Sequence, residues 1–337
     1  MKFVTYIKEN QERAGLLIPR GIIDIETASQ ILGSQLSSNM SEILNNWERA
    51  LLICSNFEQL AFSGSIDTIP LGSVKLISPV PHPTSCRDGY AFRQHVETAR
   101  RNRGVPMIAE FDQYPVFYFT NHNAIFGEGE LFLETDHFQK LDFELECAVV
   151  IGKRGKNVRS SEADSYIAGY LIMNDLSART LQMEEMLLNL GPAKGKDFAT
   201  TLGPYLVTPD ELEDFKISTP FGNKYNLQMK AYHNGEKVSE GNLSDMNWTF
   251  AEIIERVSYG VEIFPGDVIG SGTVGTGCYL ELNGSNALMA KEKGISFSPV
   301  WLQEDDEITL EIDGLGKLTN TIRKNPNSYS LLGLKKL

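Results

Sequence analysis

The sequence predicts an α+β protein that is mainly β, with a small N-terminal α+β unit ahead of a larger strand-rich one. Three observations carry this. Residues 141–152, LDFELECAVVIG, alternate apolar and acidic positions and then run into an unbroken apolar stretch, as a strand does when one end is fully buried. Prolines at 79, 81 and 83 in LISPVPHP forbid helix and favour a stiff, extended connection, which separates residues 1–75 from residues 85–337 with 76–84 as linker. Beyond that linker the apolar segments are short and punctuated by turns such as Pro265-Gly266-Asp267 and Asp313-Gly314.

Composition narrows the class. With 337 residues, 42% hydrophobic and 22% charged, the chain can bury a large core and reads as an ordinary globular protein. A net charge of −13 argues against nucleic acid or an anionic membrane as partner. The apolar run before Lys8 is too short for a secretory signal, and no run approaches a membrane span, so the expected location is the cytoplasm. Cys54, Cys86, Cys147 and Cys278 are scattered, with no CxxC pair, which excludes zinc fingers and disulfide scaffolds. Cys147 and Cys278 lie in apolar runs and are expected to be buried free thiols.

In order along the chain, residues 3–7, 14–18 and 21–25 read as short strands. Residues 41–62 carry apolar positions every three or four and read as helix, with Asn39 and Glu42 spaced as a capping box. After the linker, 88–103 reads as a helix ending at Gly104, and 115–125, 142–152 and 166–174 read as strands. Residues 176–190 have helical composition and stop at Gly191-Pro192; then strands are expected at 204–207, 226–233, 261–270, 278–282 and 307–312.

The chemistry starts at Glu144 and Glu146. On a strand, residues two apart leave the same face, and two like charges at a core edge are costly unless something positive sits between them. The plain alternative is a solvated strand face. Asp175, at the end of the apolar run LIMND, and Asp88, just past the prolines, add two more carboxylates. Four oxygen donors without Cys or His point to a hard cation: Mg²⁺ first, with Mn²⁺ or Ca²⁺ as alternatives, rather than Zn²⁺. Spacing alone does not bring these four together.

Several other residues stand out. His95 follows Asp88 by two helical turns and would share its face. It reads as a ligand, a general base or a bystander, and a base would need an orienting carboxylate. Gly270-Ser-Gly272-Thr-Val-Gly275 matches the dinucleotide fingerprint in form, but the segment after it reads as strand, leaving no helix N-terminus for a pyrophosphate. Arg179 and Gln182 would neighbour each other on one helix face, and Lys196 follows the Gly191-Pro192 break; each could equally be a solvated polar residue. Arg100, Arg101 and Arg103 read as a solvated helix end without a role.

Taken together, the blocks DGYAFRQH, LDFELE, MNDLSARTLQ, GKDFATTLGP and GSGTVGTGCYLEL resemble, in order and approximate spacing, the fumarylacetoacetate hydrolase family. The likeness covers most of residues 85–285 and extends through EITLEIDGLG to about residue 322. It implies a mixed β-sandwich roll, usually homodimeric. By that resemblance Asp88, Glu144, Glu146 and Asp175 hold the metal, His95 is the catalytic histidine, and Glu281 in CYLEL orients it. Lys196, Gln182 and Arg179 would hold substrate oxygens, Thr273 a substrate carboxylate, and Tyr90 and Tyr118 would contact substrate. Leu176 and Met186 depart from the tryptophan and tyrosine that the family often carries, on the side that would grip the distal acyl group.

The activity so implied is hydrolytic cleavage of a carbon–carbon bond in a β-diketo acid, with His95 activating water and an enolate leaving. The alternative within the family is a decarboxylase, dehydratase or isomerase of a 2-keto acid. A metal-stabilised binding or scaffold protein is the rival from another class.

Overall fold

The structure is a computed structural model and describes residues 1–334; the last positions of the expected 85–337 unit, 335–337, lie outside the described residues. Helices and extensive sheets mix as an α+β, mainly β fold. The central sheet runs in the order Gly21–Asp24, Gln11–Ile18, Lys2–Lys8, Thr200–Val207, Ile167–Asp175, Leu145–Ile151, Asp267–Gly270, Ser85–Gly89, Phe117–Thr120. Two short strands, Lys75–Ile77 and Ile125–Phe126, pair beside it. A second sheet of five strands has the order Glu236–Asn242, Gln228–His233, Glu307–Ile312, Gly316–Lys324, Gly129–Leu133.

The strand Leu145–Ile151 is buried along its whole length because both faces of the sheet are covered. Its odd-numbered residues, Cys147 and Val149, pack toward the second sheet with Met229, Leu310 and Ile322. Its even-numbered residues, Ala148 and Val150, pack with Phe3, Ile43, Leu44 and Trp47 from the N-terminal segment. Lys2 and Phe3 pair with Val207 and Leu206, so the first strands are hydrogen-bonded into the sheet that carries the acidic residues. Period two therefore puts Glu146 in the row of Ala148 and Val150, on the face the N-terminal segment covers.

Several expected elements differ. The 41–62 helix is three helices, Met40–Asn45, Trp47–Cys54 and Phe57–Phe62. Asn39 caps the first, accepting from the amides of Ser41 and Glu42. Residue 25 begins a helix, Ile25–Ile31, capped by Asp24, that the strand reading missed. The segment 88–103 is a strand, Ser85–Gly89, and a helix, Arg93–Asn102, so Asp88 and His95 do not share a helical face. Cys278 stands extended, and residues 279–282 open a helix, Tyr279–Glu292, the longest of the described chain. Its early residues alternate like a strand, and only its length and packing against the His95 helix settle the matter. All four cysteines are free and buried. Among the described residues no helix is long and apolar enough to cross a membrane.

Candidate active site

Sheet register assembles the acidic cluster. Gly270 pairs with Ala148 on one side and, in parallel, with Asp88 on the other, while Glu146 faces Met173 across the next ladder. The carboxyl-terminal ends of the Asp88 and Asp175 strands thus lie beside the start of the Glu146 strand. Glu144 sits just outside that strand, in the break after Leu141–Asp142, and its amide donates to Asn174 Oδ1 at 2.9 Å. Carboxylate oxygens of Asp88, Glu144 and Glu146 lie within 4.8 Å of one another. Gly270 makes the convergence possible: a Cβ there would meet Asp88 Oδ1 at 2.4 Å, Met173 Sδ at 2.8 Å and Glu146 Oε2 at 3.1 Å.

Asp175 stands one step away. Its Oδ2 accepts from Lys196 Nζ at 2.7 Å and from the Tyr118 hydroxyl. Lys196 also donates to Glu144, and Arg179 reaches Glu144 at 2.8 Å and Asp142 at 2.8 Å. Gln182 Oε1 accepts from Arg179 at 3.0 Å, as a three-residue helical offset allows. Thr273 Oγ1 donates to Glu146 at 3.2 Å, and the Gly272 amide donates to Asp88 at 3.0 Å.

The charges are unevenly balanced. Burial alone would raise the Glu144 carboxyl, but Lys196 and Arg179 outweigh it and hold it down at about 2. Burial and the neighbouring Asp175 charge push Asp88 up to about 7. Burial and Asp88 push Glu146 well above the carboxylate range. Two buried oxygens, Glu146 Oε2 and Asp175 Oδ1, accept no hydrogen bond from any described group. An all-oxygen donor set, mutually repelling and holding unpartnered lone pairs, fits a hard divalent cation.

On the other wall His95 Nδ1 lies 2.6 Å from Glu281 Oε2, both side chains buried. Asn102 donates to the Glu281 carbonyl at 3.0 Å, tying the His95 helix to the Glu281 helix. The Tyr90 ring meets His95 edge-on with centroids 5.9 Å apart. A cavity of about 900 Å³ separates the two walls. Asp88, Tyr90, His95, Tyr118, Glu144, Arg179, Gln182, Lys196 and Thr273 line it, while Glu146, Asp175 and Glu281 stand behind as direct partners of lining residues.

Three sequence readings need correction here. A helix does follow the glycine stretch, but Asp142 accepts from its first amides, Tyr279 N at 2.7 Å and Leu280 N at 2.9 Å, so its N-terminus already has an anion. Arg103 lines the cavity although its helix end was given no role. Leu176 is fully buried in the core and does not line the cavity, whereas Met186 does. Asp142 went unread, though DFELE puts a third carboxylate in the same alternation.

Comparison with known proteins bears on this geometry. The family model for the fumarylacetoacetate hydrolase C-terminal region matches residues 84–323. The mitochondrial oxaloacetate tautomerase FAHD2A of Bos taurus is 30% identical over 90% of this chain and 84% of its own length. The oxaloacetate tautomerase YisK of Bacillus subtilis is 28% identical over 96% of this chain and 100% of its own. In fold, a maleylpyruvate hydrolase of Sphingobium, solved with manganese(II) and pyruvate, superposes with a TM-score of 0.67 at 20% identity, covering 96% of this chain and 100% of that one.

Proposed function

The chain belongs to the fumarylacetoacetate hydrolase family of enzymes, and from that premise we propose that it is a divalent-cation-dependent tautomerase of a 2-oxo acid of the oxaloacetate type. This replaces carbon–carbon hydrolysis as the leading reading, because the two sequence relatives named above are oxaloacetate tautomerases, while the hydrolase named with them is 20% identical and bears on the fold alone. The observation that carries it is the His95–Glu281 pair facing an acidic, cation-ready wall across one cavity.

Tautomerisation moves one proton between C3 and the oxygen on C2. His95 takes the C3 proton in the keto-to-enol direction and returns it in the other, while Glu281 accepts from Nδ1, fixes the ring tautomer and stabilises its protonated state. Electrons from the broken C3–H bond form the C2=C3 bond, and the C2 oxygen takes up the proton that completes the enol. Lys196 and Gln182 offer N–H donors to that oxygen as its charge grows. Thr273 and Arg179 offer partners for the substrate carboxylates. Asp88, Glu144 and Glu146, with Asp175 beside them, would hold a divalent cation, Mg²⁺ first and Mn²⁺ or Ca²⁺ as alternatives, which would supply Lewis-acid polarisation of the 2-oxo acid when bound.

Hydrolysis of a β-diketo acid is the second reading, favoured by the same pair: an oriented histidine can take its proton from water as well as from carbon. One assay separates the two. Freshly dissolved enol oxaloacetate is followed by loss of enol absorbance with Mg²⁺, with chelator, and with Mg²⁺ restored. Fumarylacetoacetate, fumarylpyruvate and acylpyruvates are then followed by loss of diketo absorbance. The proposal expects chelator-sensitive acceleration of enol loss. Turnover of a diketo acid without any acceleration beyond Mg²⁺ alone on oxaloacetate sinks it in favour of hydrolysis.

A further inference from the structure

Cys278 takes no part in the chemistry above, yet it is fully buried beside the pair that does. Ligand atoms of His95, Cys278 and Glu281 lie within 4.8 Å of one another. A zinc ion with ligands at about 2.0–2.3 Å holds them roughly 3.3–3.8 Å apart, so closing this trio takes about 1 Å of side-chain movement. We propose that His95, Cys278 and Glu281 form a second metal site, selective for Zn²⁺ or another borderline-soft cation, that switches the enzyme off.

Donor chemistry separates this site from the acidic one. Three carboxylates suit a hard cation, whereas imidazole, thiolate and carboxylate together suit zinc. Cys278 is anchored by the backbone immediately before the Glu281 helix, which keeps Sγ on the same side as the Glu281 carboxylate one turn on. Burial and the neighbouring Asp142 charge hold the Cys278 thiol well above its usual range, with Arg179 opposing them, so an incoming metal has to displace its proton. His95 lines the 900 Å³ cavity and Glu281 lines a separate cleft of about 420 Å³ beside Arg93, Gln94 and Thr98, while Cys278 lines neither, so metal reaches the trio from one of these walls with side-chain movement.

Binding is balanced in protons. The neutral His95 ring carries its proton on Nε2 in place of Nδ1, the Cys278 thiol loses one proton to solvent, and the metal forms bonds to nitrogen, sulfur and oxygen. The ion then replaces the His95–Glu281 hydrogen bond, so the base is lost while the acidic cluster is untouched. Only the loss of turnover rests on the proposed function; the binding itself does not.

The test uses the full chain saturated with Mg²⁺. Co²⁺ added as a spectroscopic stand-in for Zn²⁺ is expected to give a thiolate-to-cobalt charge-transfer band in the near ultraviolet, abolished in Cys278→Ser. Zn²⁺ is expected to inhibit the wild type without relief by further Mg²⁺, and to need about 10–100-fold more metal to inhibit Cys278→Ser, each measured against that variant's own uninhibited rate. Thermal unfolding of Cys278→Ser checks its fold, and Cys278→Ala repeats the measurement if it fails. A cobalt band that survives loss of Cys278, no band at all, or inhibition that excess Mg²⁺ reverses would overturn the proposal. A band without any tautomerase activity would leave the metal site standing and count against the function alone.

Discussion

Oδ1 of Asp88 fills the space that a side chain on Gly270 would need, 2.4 Å from an ideal Cβ. The glycine and the acid are register partners on parallel strands, so the geometry is built into the sheet. Any larger residue must push Asp88, Met173 or Glu146 away.

Gly270→Ala is therefore expected to weaken Mn²⁺ binding by about 10–100-fold, as displacing groups around metal ligands commonly does. Isothermal titration calorimetry on the metal-free protein measures it. Unchanged affinity would mean that the cation does not sit among these carboxylates.

If His95 is the base proposed above, His95→Gln should lose about 10²–10⁴-fold in turnover and keep its Mn²⁺ affinity, because His95 is not among the acidic cluster's carboxylates. Glu281 contacts His95 Nδ1 at 2.6 Å, and in the proposed role of orienting it Glu281→Gln should shift the pH profile of the rate as well as lower it, and Glu281→Asp should restore part of the loss. A His95→Gln variant with wild-type turnover removes this assignment.

His137 tests the protonation of the core away from the site. It stacks on Phe198 with centroids 4.0 Å apart, and its Nδ1 accepts from the Glu134 amide at 3.2 Å, which requires a neutral ring. Burial lowers it to about 4 from an ordinary 6.5. Between those values the unfolded chain binds more protons than the folded one, so stability falls as pH drops from 6.5 toward 4, by up to about 3 kcal/mol. Urea unfolding at pH 7 and pH 4.5 should show this loss in the wild type and less of it in His137→Gln. Equal losses would show that other groups govern the acid limb.

Trp47 links the N-terminal segment to the site-bearing sheet. Its ring packs on Phe3 at 4.8 Å and closes over Gly152, where a Cβ would meet Trp47 Cδ1 at 2.8 Å. Trp47→Ala should cost about 3–5 kcal/mol in chemical unfolding. A loss below about 1 kcal/mol would mean the segment contributes little to the core.

Some of the site was legible from local pattern. The apolar run ending in Asp175 does mark a strand end; alternation put Glu144 and Glu146 on one strand, but Glu144 lies just outside it and the two carboxylates converge all the same. The three-residue offset of Arg179 and Gln182 became a hydrogen bond. Where local pattern misled, the cause was a short segment with two permissible periods. CYLEL alternates like a strand yet opens a helix, and DGYAFRQH reads as one helix yet changes from strand to helix between Asp88 and His95.

What the sequence by itself determined is the kind of chemistry: oxygen donors for a hard cation, an isolated histidine, and segments whose periodicity demands a sheet buried on both faces. Those are local properties, set by side-chain type and by a two- or 3.6-residue repeat. Only the tertiary structure decided which residues meet. His95 and Glu281 are separated by 186 positions, and no local rule connects them; their 2.6 Å contact exists because two helices pack beside one cavity. Asp88 likewise reaches Glu146 because a parallel pairing brings it next to Gly270, where a missing side chain leaves the acids room to converge.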